Sequence, residues 1–290
     1  MMEIKARGPY SFEETLRYMR RQDDCLYTVK GDAVYKAEWF GGRKVLMKLT
    51  AGEKNSVRVE VLLNEGVAPE EIREYCTEWL DLDYDLEAFY AFAREDARLG
   101  QVVEKRHGYR MVGKVDIVDA FLWAILGQQI NMGFAYVLKR RIIEHHDHHI
   151  RHEGEKFHLL PSAAEIAAMG GEVLRGMQIS GRKTEYIQSV MKSVDAGELS
   201  KSHLRTFGDF DDVLKYMTGY RGIGPWSANT VLMRTLKFRN AVPAGDAGIK
   251  NALRQVDGMD AAPSRAYIDK VTGAWGEFGM YGTLYMWEVL

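Results

Sequence analysis

The sequence predicts an α+β protein: a small N-terminal antiparallel β-sheet domain with flanking helices, followed by an all-α body. Two observations carry this. Between residues 26 and 63, β-branched and aromatic residues run in stretches broken at short polar turns, the pattern of antiparallel strands. From Val67 onward, apolar residues recur at helical spacing almost to the C-terminus. A chain of 290 residues with 46% hydrophobic residues can bury a sizeable core, in two or three compact units.

Taken in order, residues 11–21 read as a helix. Ser11 with Glu14 three positions on is a capping-box signature, and Phe12, Leu16 and Met19 are helically spaced. LYTVKGDAVYKAEWF, KVLMKLT and SVRVEVLL then read as strands, with turns at GD, GGR and AGEKN. Pro69 followed by Glu70 and Glu71 marks a helix start. Further helices are predicted over 85–99, 116–130, 163–169, 184–194, 211–218, 225–236, 247–256 and 264–275. Trp39, Trp79 and Trp123 read as core residues.

Composition excludes several classes. Cys25 and Cys76 are the only cysteines and form no CxxC pair, so a disulfide framework is not expected and a reduced, cytoplasmic protein is. Two thiolates also cannot hold an iron–sulfur cluster, which needs about four. No apolar run approaches the ~20 residues that cross a bilayer, and the N-terminus lacks the apolar stretch of a signal peptide. Net charge is −2, so any nucleic-acid binding must come from a local patch. Charge is uneven: 11 acidic against 2 basic residues between Glu65 and Asp96, and 7 basic against one acidic between Lys215 and Arg254. The acidic block reads as a solvated face.

The basic block holds the most specific motif, LKYMTGYRGIGPWSANTVLM over 214–233. A helix ends near Thr218, three glycines follow (Gly219, Gly222, Gly224), and Pro225 opens a second helix. Glycines allow positive φ and let a phosphate reach the backbone, where the helix start offers free N–H groups. Ile223 would plug the turn into the core. A lone GxG before a helix is an ordinary turn; the longer pattern is far more specific. Asp246, the single acid of this block, precedes another helix. It reads as an N-cap, and also as a carboxylate set among cations that can face positive charge developing on a deoxyribose.

The GIGPWSA hairpin, the Asp246–Ile249–Lys250 signature, VDIVDAFLWAILGQQIN (115–131) and the aromatic end WGEFGMYGTLYMWEV (275–289) resemble the helix-hairpin-helix DNA glycosylases, in the DNA-3-methyladenine glycosylase II branch. The resemblance implies an N-terminal mixed domain over 1–84, a hairpin-carrying helical domain over 119–238, and a second helical domain from 85–118 and 239–290 closing the cleft. It implies a monomeric base-excision enzyme acting on double-stranded DNA that holds a damaged base, nucleoid-associated within the cytoplasm and not bound to membrane. Asp246 falls at the catalytic position. Trp226, Trp287, Thr230, Ala247 and Tyr285 fall in the base pocket, Thr230 and Ala247 where the branch often has aromatics. Gly222, Gly224, Arg221 and Ser227 fall in the DNA-gripping hairpin, with Gln128, Ser180, Lys183 and Lys250 as further DNA contacts. Gln129 falls where a wedge enters the gap left by a flipped base. Carbonyls of Thr218, Tyr220 and Ile223 fall where the family can hold a structural Na⁺ or K⁺; no other cofactor is implied. Trp226 stands where bifunctional relatives carry a Schiff-base lysine, which implies hydrolysis without a lyase step. The missing four-cysteine set argues against the endonuclease III type.

Alkylated purines are the implied substrates, because a cationic base stacks well on aromatic rings and leaves readily. A glycosylase for hypoxanthine, uracil or 8-oxoguanine, and a non-catalytic damage-binding protein, remain alternatives. EHHDHHIRH (144–152) offers His145 and His149 at the i, i+4 spacing of a metal pair, or simply an exposed helix end and loop.

Overall fold

The computed structural model describes residues 1–243 and 245–290; Ala244, in the predicted loop before Asp246, lies outside the described residues. Five antiparallel strands form the N-terminal sheet: β1 (Met2–Lys5), β2 (Thr28–Lys30), β3 (Ala33–Phe40), β4 (Arg43–Ala51) and β5 (Ser56–Asn64), in the order β1-β5-β4-β3-β2. The predicted turns fall where expected. β1 was not expected; it is four residues long and pairs with β5 at the sheet edge, Ile4 opposite Val57.

Alternation along β4 builds both layers. Val45, Met47 and Leu49 join a core with Phe12, Leu16 and Met19 of the first helix and Ile72, Cys76 and Trp79 of the helix Pro69–Trp79. Leu46 points the other way, onto Ile150, Phe157 and Leu159. Ile150 and Phe157 belong to a hairpin, β6 (His149–His152) and β7 (Glu155–His158), that grows out of the helical body, and Leu159 directly follows it. Full burial of each such side chain contributes about 1.5–3 kcal/mol. Both faces of the sheet therefore carry buried apolar contacts.

The first helix is capped by Ser11, whose Oγ accepts the Glu14 N–H at 3.2 Å. Its capping box is only half formed: the Ser11 N–H donates to the Gly108 carbonyl, and Glu14 turns to Arg17 instead. The helical body packs one large core around the apolar helix Ile117–Leu126, every residue of which is buried. No helix among the described residues is long and apolar enough to cross a membrane.

The charge blocks dissolve into this packing. Asp81, from the acidic block, is buried and pairs with Arg239 at 2.6 Å, so that block is not wholly a solvated face. Of the seven cations in the basic block, three turn inward. Arg234 donates to the Tyr18 hydroxyl, Lys237 has a buried Nζ with no hydrogen-bond partner among the described residues, and Arg239 holds Asp81.

Candidate active site

A cleft of about 1540 Å³ runs between the β-sheet domain, the glycine-rich hairpin and the C-terminal helix. Its hairpin wall begins with the helix Phe210–Thr218, turns through Gly219–Gly224, and continues as the helix Pro225–Val231. Ile223 is 2% exposed and anchors the turn, as its apolar character between two glycines predicts. The two key glycines do different work. Gly222 has φ +99°, and a Cβ there would lie 2.4 Å from Cγ of Tyr186, so the ring packs directly on it. Gly224 has φ −86° and open space at its Cβ position, leaving the backbone free for a close-approaching ligand. The N–H groups of Trp226 and Ser227 lie in a first helical turn, which has no intrahelical acceptors.

Gln128 braces this turn from behind. Its Nε2 donates to the Gly222 carbonyl and to Ser227 Oγ, both at 2.9 Å. Ser227 is buried, and its hydroxyl reaches back toward the Ala124 carbonyl. The polar atoms of Gln128 and Ser227 are thus taken up by contacts within the protein, while the Ser227 N–H stays at the hairpin. The Tyr220 carbonyl accepts the Ile223 N–H at 3.0 Å and keeps one lone pair. With the Thr218 and Ile223 carbonyls it offers hard, neutral oxygen donors of the kind a monovalent cation takes.

Opposite the hairpin, Gly245 (φ +76°) leads into Asp246, which caps the helix Ala247–Val256. Asp246 Oδ1 accepts the Ile249 N–H at 2.9 Å and the Trp287 Nε1–H at 2.8 Å. Its Oδ2 accepts the Trp226 Nε1–H at 3.0 Å. Three neutral N–H donors thus fix the carboxylate. Among the described residues it makes no direct ion pair, although Arg234 and Arg265 line the same cleft. Gly248 makes room: a Cβ there would sit 2.7 Å from Trp287 Cδ1 and 2.9 Å from Asp246 Oδ1. Trp287 is held in turn by Arg234, whose guanidinium lies 5.4 Å from its ring centroid. Arg234 sits in a π-helical turn, Leu232–Leu236, an irregularity common at functional sites.

Deeper in the cleft, four charged side chains form a closed cluster. Lys139 Nζ lies 2.8 Å from both Asp24 oxygens and 2.5 Å from Asp119 Oδ1. Lys114 Nζ bridges Asp119 at 2.8 Å and Asp24 at 3.3 Å. Burial works against the Asp24 carboxylate, but the two ammonium groups outweigh it and hold its pKa below the usual range.

The comparisons agree with this architecture. The family described as "HhH-GPD superfamily base excision DNA repair protein" matches residues 122–277. A Bacillus subtilis protein named DNA-3-methyladenine glycosylase is 33% identical, over 97% of this chain and 94% of its own. The chain belongs to the helix-hairpin-helix DNA glycosylases, in the DNA-3-methyladenine branch. Among solved structures, a 3-methyladenine DNA glycosylase from Archaeoglobus fulgidus shares the fold with TM-score 0.87, at 23% identity, over 99% of this chain and 97% of its own. An 8-oxoguanine glycosylase/lyase from Clostridium acetobutylicum, in complex with double-stranded DNA, shares it with TM-score 0.71, at 15% identity, over 92% and 97%.

Within that family fold, Asp246, Trp226, Trp287, Thr230 and Ala247 all line the cleft. Thr230 is buried and its hydroxyl is spent on the Trp226 carbonyl at 2.8 Å, so it adds a methyl surface rather than a donor. Tyr285 does not line the cleft. It is fully buried, and its hydroxyl donates to the Arg106 and Tyr109 carbonyls and meets that of Tyr90, which makes it a core residue. Lys183 folds back onto the Leu126 carbonyl at 2.6 Å, capping that helix end instead of reaching outward from Ser180. Arg221 and Lys250 are exposed; Arg221 pairs with Glu185. Gln129 is exposed at the cleft mouth with φ +55°. His145 and His149 form no helical pair, because the helix Met132–His146 ends between them and His149 opens β6, in keeping with the alternative reading of a helix end and loop. Sequence reasoning missed Asp24, Lys114, Asp119, Lys139, Arg234 and Gly248. Only Gly248, a glycine in a helical first turn, gave a local signal.

Proposed function

We propose that this DNA glycosylase hydrolyses the N-glycosidic bond of alkylated purines of the 3-methyladenine and 7-methylguanine type. It acts as a monomer on double-stranded DNA and has no lyase step. The observation that carries the reading is Asp246: a carboxylate at the cleft wall, oriented by Trp226 and Trp287 and neutralised by neither. In this reading the hairpin holds a phosphate through Gly224 and the Trp226 and Ser227 N–H groups, while Arg221 and Lys250 add charge. Gln129 enters the duplex as the damaged base swings out into the cleft. A cleft of about 1540 Å³ has ample room for a purine and its sugar. Asp246 then faces the positive charge growing on the deoxyribose and directs water to the anomeric carbon.

The rings support a cationic base unequally. Trp287 and Trp123 each already carry a cation, Arg234 at 5.4 Å and Lys114 at 5.3 Å from the centroid. Trp226 has no such contact among the described residues, so it is the wall offered to a methylated purine. Trp226 also occupies the hairpin position where a lyase would need its amine. The domain division at 1–84, 119–238, and 85–118 with 239–290 belongs to the same proposal, as does a structural Na⁺ or K⁺ on the Thr218, Tyr220 and Ile223 carbonyls.

Incubation with methylated DNA, followed by mass spectrometry of the released bases, tests the reading. Release of 3-methyladenine or 7-methylguanine is the expected result. Release only of hypoxanthine, uracil or 8-oxoguanine moves the substrate to another lesion. No release, with tight binding to abasic DNA, makes the chain a damage-binding protein. Borohydride should trap no covalent adduct, and an adduct would contradict the role given to Trp226.

A further inference from the structure

Away from the cleft, the histidine-rich segment folds into a cluster that its sequence spacing does not announce. His146 ends the helix Met132–His146, and Asp147 follows at φ +56°, reversing the chain so that His148 returns beside it. Their rings lie nearly parallel, with centroids 6.2 Å apart and 19° between planes. Glu165, in the first turn of the helix Ala163–Ala168, completes the group. One ligand atom from each of the three lies within 4.8 Å of the others.

Hydrogen bonding explains part of this arrangement and leaves a remainder. Glu165 Oε2 caps its own helix, accepting the Ser162 N–H at 2.8 Å and hydroxyl at 2.7 Å. Glu165 Oε1 is turned the other way, 2.6 Å from His148 Nε2. His146 Nε2 is buried with no hydrogen-bond partner among the described residues. An ion pair between His148 and Glu165 does not account for a second imidazole nitrogen, shut off from water beside it, because such an atom normally finds a partner.

We propose that His146, His148 and Glu165 form a binding site for a divalent transition metal, with Zn²⁺ the best match. Two imidazoles and a carboxylate suit Zn²⁺ rather than Mg²⁺ or Ca²⁺, which prefer all-oxygen shells. None of the three residues lines the cleft, so the role is structural. The metal would tie together the C-terminus of one helix, the N-terminus of another and the root of the β6–β7 hairpin. That root packs on the N-terminal sheet: the His148 ring meets Trp39 edge-on at 6.1 Å, and Trp39 Nε1 donates to the Leu160 carbonyl.

The test is titration of chelator-treated, dialysed protein with Zn²⁺ by calorimetry, and with Co²⁺ by visible absorption. One equivalent should bind, Co²⁺ should give the intense bands of low coordination number, and Zn²⁺ should raise the melting midpoint. Glu165→Gln keeps a capping-box side chain and removes the charged ligand; His148→Ala removes an imidazole. Loss of a second-shell partner already costs about 10–100-fold in metal affinity, so each variant should lose at least about 100-fold. The double variant His145→Ala/His152→Ala alters the same segment outside the cluster and should bind as before. Absence of binding by the parent protein overturns the proposal. So does binding that survives Glu165→Gln and His148→Ala, or that disappears in the His145/His152 variant.

Discussion

Two sets of carboxylates line one cleft, and they are held in opposite ways. Asp24 and Asp119 are buried and locked between Lys114 and Lys139, with each charge answered by another. Asp246 is half-buried and held by three N–H donors that carry no net charge. The first arrangement consumes its charge in making a rigid wall. The second fixes geometry and leaves the charge unspent, which is what a group facing a developing cation needs. Position in the cleft therefore does not distinguish scaffold from chemistry; the character of the partners does.

The largest expected effect breaks the scaffold side. Lys139→Met should destabilise the protein by about 3–5 kcal/mol, because it leaves two buried carboxylates with one ammonium between them. Chemical denaturation would show this as a lower midpoint. The same cluster sets the acid limb. The Asp24 pKa is depressed in the folded protein, so its contribution is complete above the unfolded value of about 3.9 and is lost as pH falls below it. Wild-type midpoints should drop through that range, and Lys139→Met should flatten the slope. On the chemical side, Asp246→Asn keeps a good N-cap residue but places an amide NH₂ where an indole N–H must donate. Excision should fall by at least about 100-fold, the range for losing a preorganised electrostatic partner, with melting midpoint and DNA affinity nearly unchanged. Near-normal excision would show that Asp246 is only a cap.

How far this could be read from sequence depends on whether a feature is local. The turns between β2 and β5 were legible because GD, GGR and AGEKN interrupt an apolar period of two. The β6–β7 hairpin was not, although Glu153 and Gly154 take the positive φ of a tight turn. Its strands are mostly charged residues and histidines, and only Ile150 and Phe157 reach the core. The helix Met132–His146 escaped because a charged residue, Lys139, sits within its buried face of Ala135, Tyr136, Leu138, Ile142 and Ile143 while Met132 stays exposed, which blurs the apolar stripe. Asp246 and Trp226 were legible from the hairpin pattern and its spacing. Their hydrogen bond, the second one from Trp287, and the inward turn of Ser227 and Gln128 were not. Those depend on contacts between residues 20, 41 and 99 positions apart.

The smallest change separates orientation of Asp246 from its charge. Gly248→Ala keeps the carboxylate's charge but crowds its Oδ1, which would lie 2.9 Å from the added Cβ. On helix propensity alone it should stabilise the protein by about 0.5–1 kcal/mol, since glycine in a helix costs that much. The added Cβ would stand 2.7 Å from Trp287 Cδ1, so the indole must back away and its N–H leaves Asp246 Oδ1. A hydrogen bond to a charged group contributes about 1.5–3 kcal/mol, and its loss should cost roughly tenfold or more in excision rate. Trp287→Phe, which removes the donor but not most of the ring, should lose a similar factor without the propensity gain. If Gly248→Ala excises normally while Trp287→Phe does not, the indole serves as a wall and not as a clamp. If both are normal, Trp226 and the helix cap suffice to aim the carboxylate, and the contrast between the two sets of acids rests on charge alone.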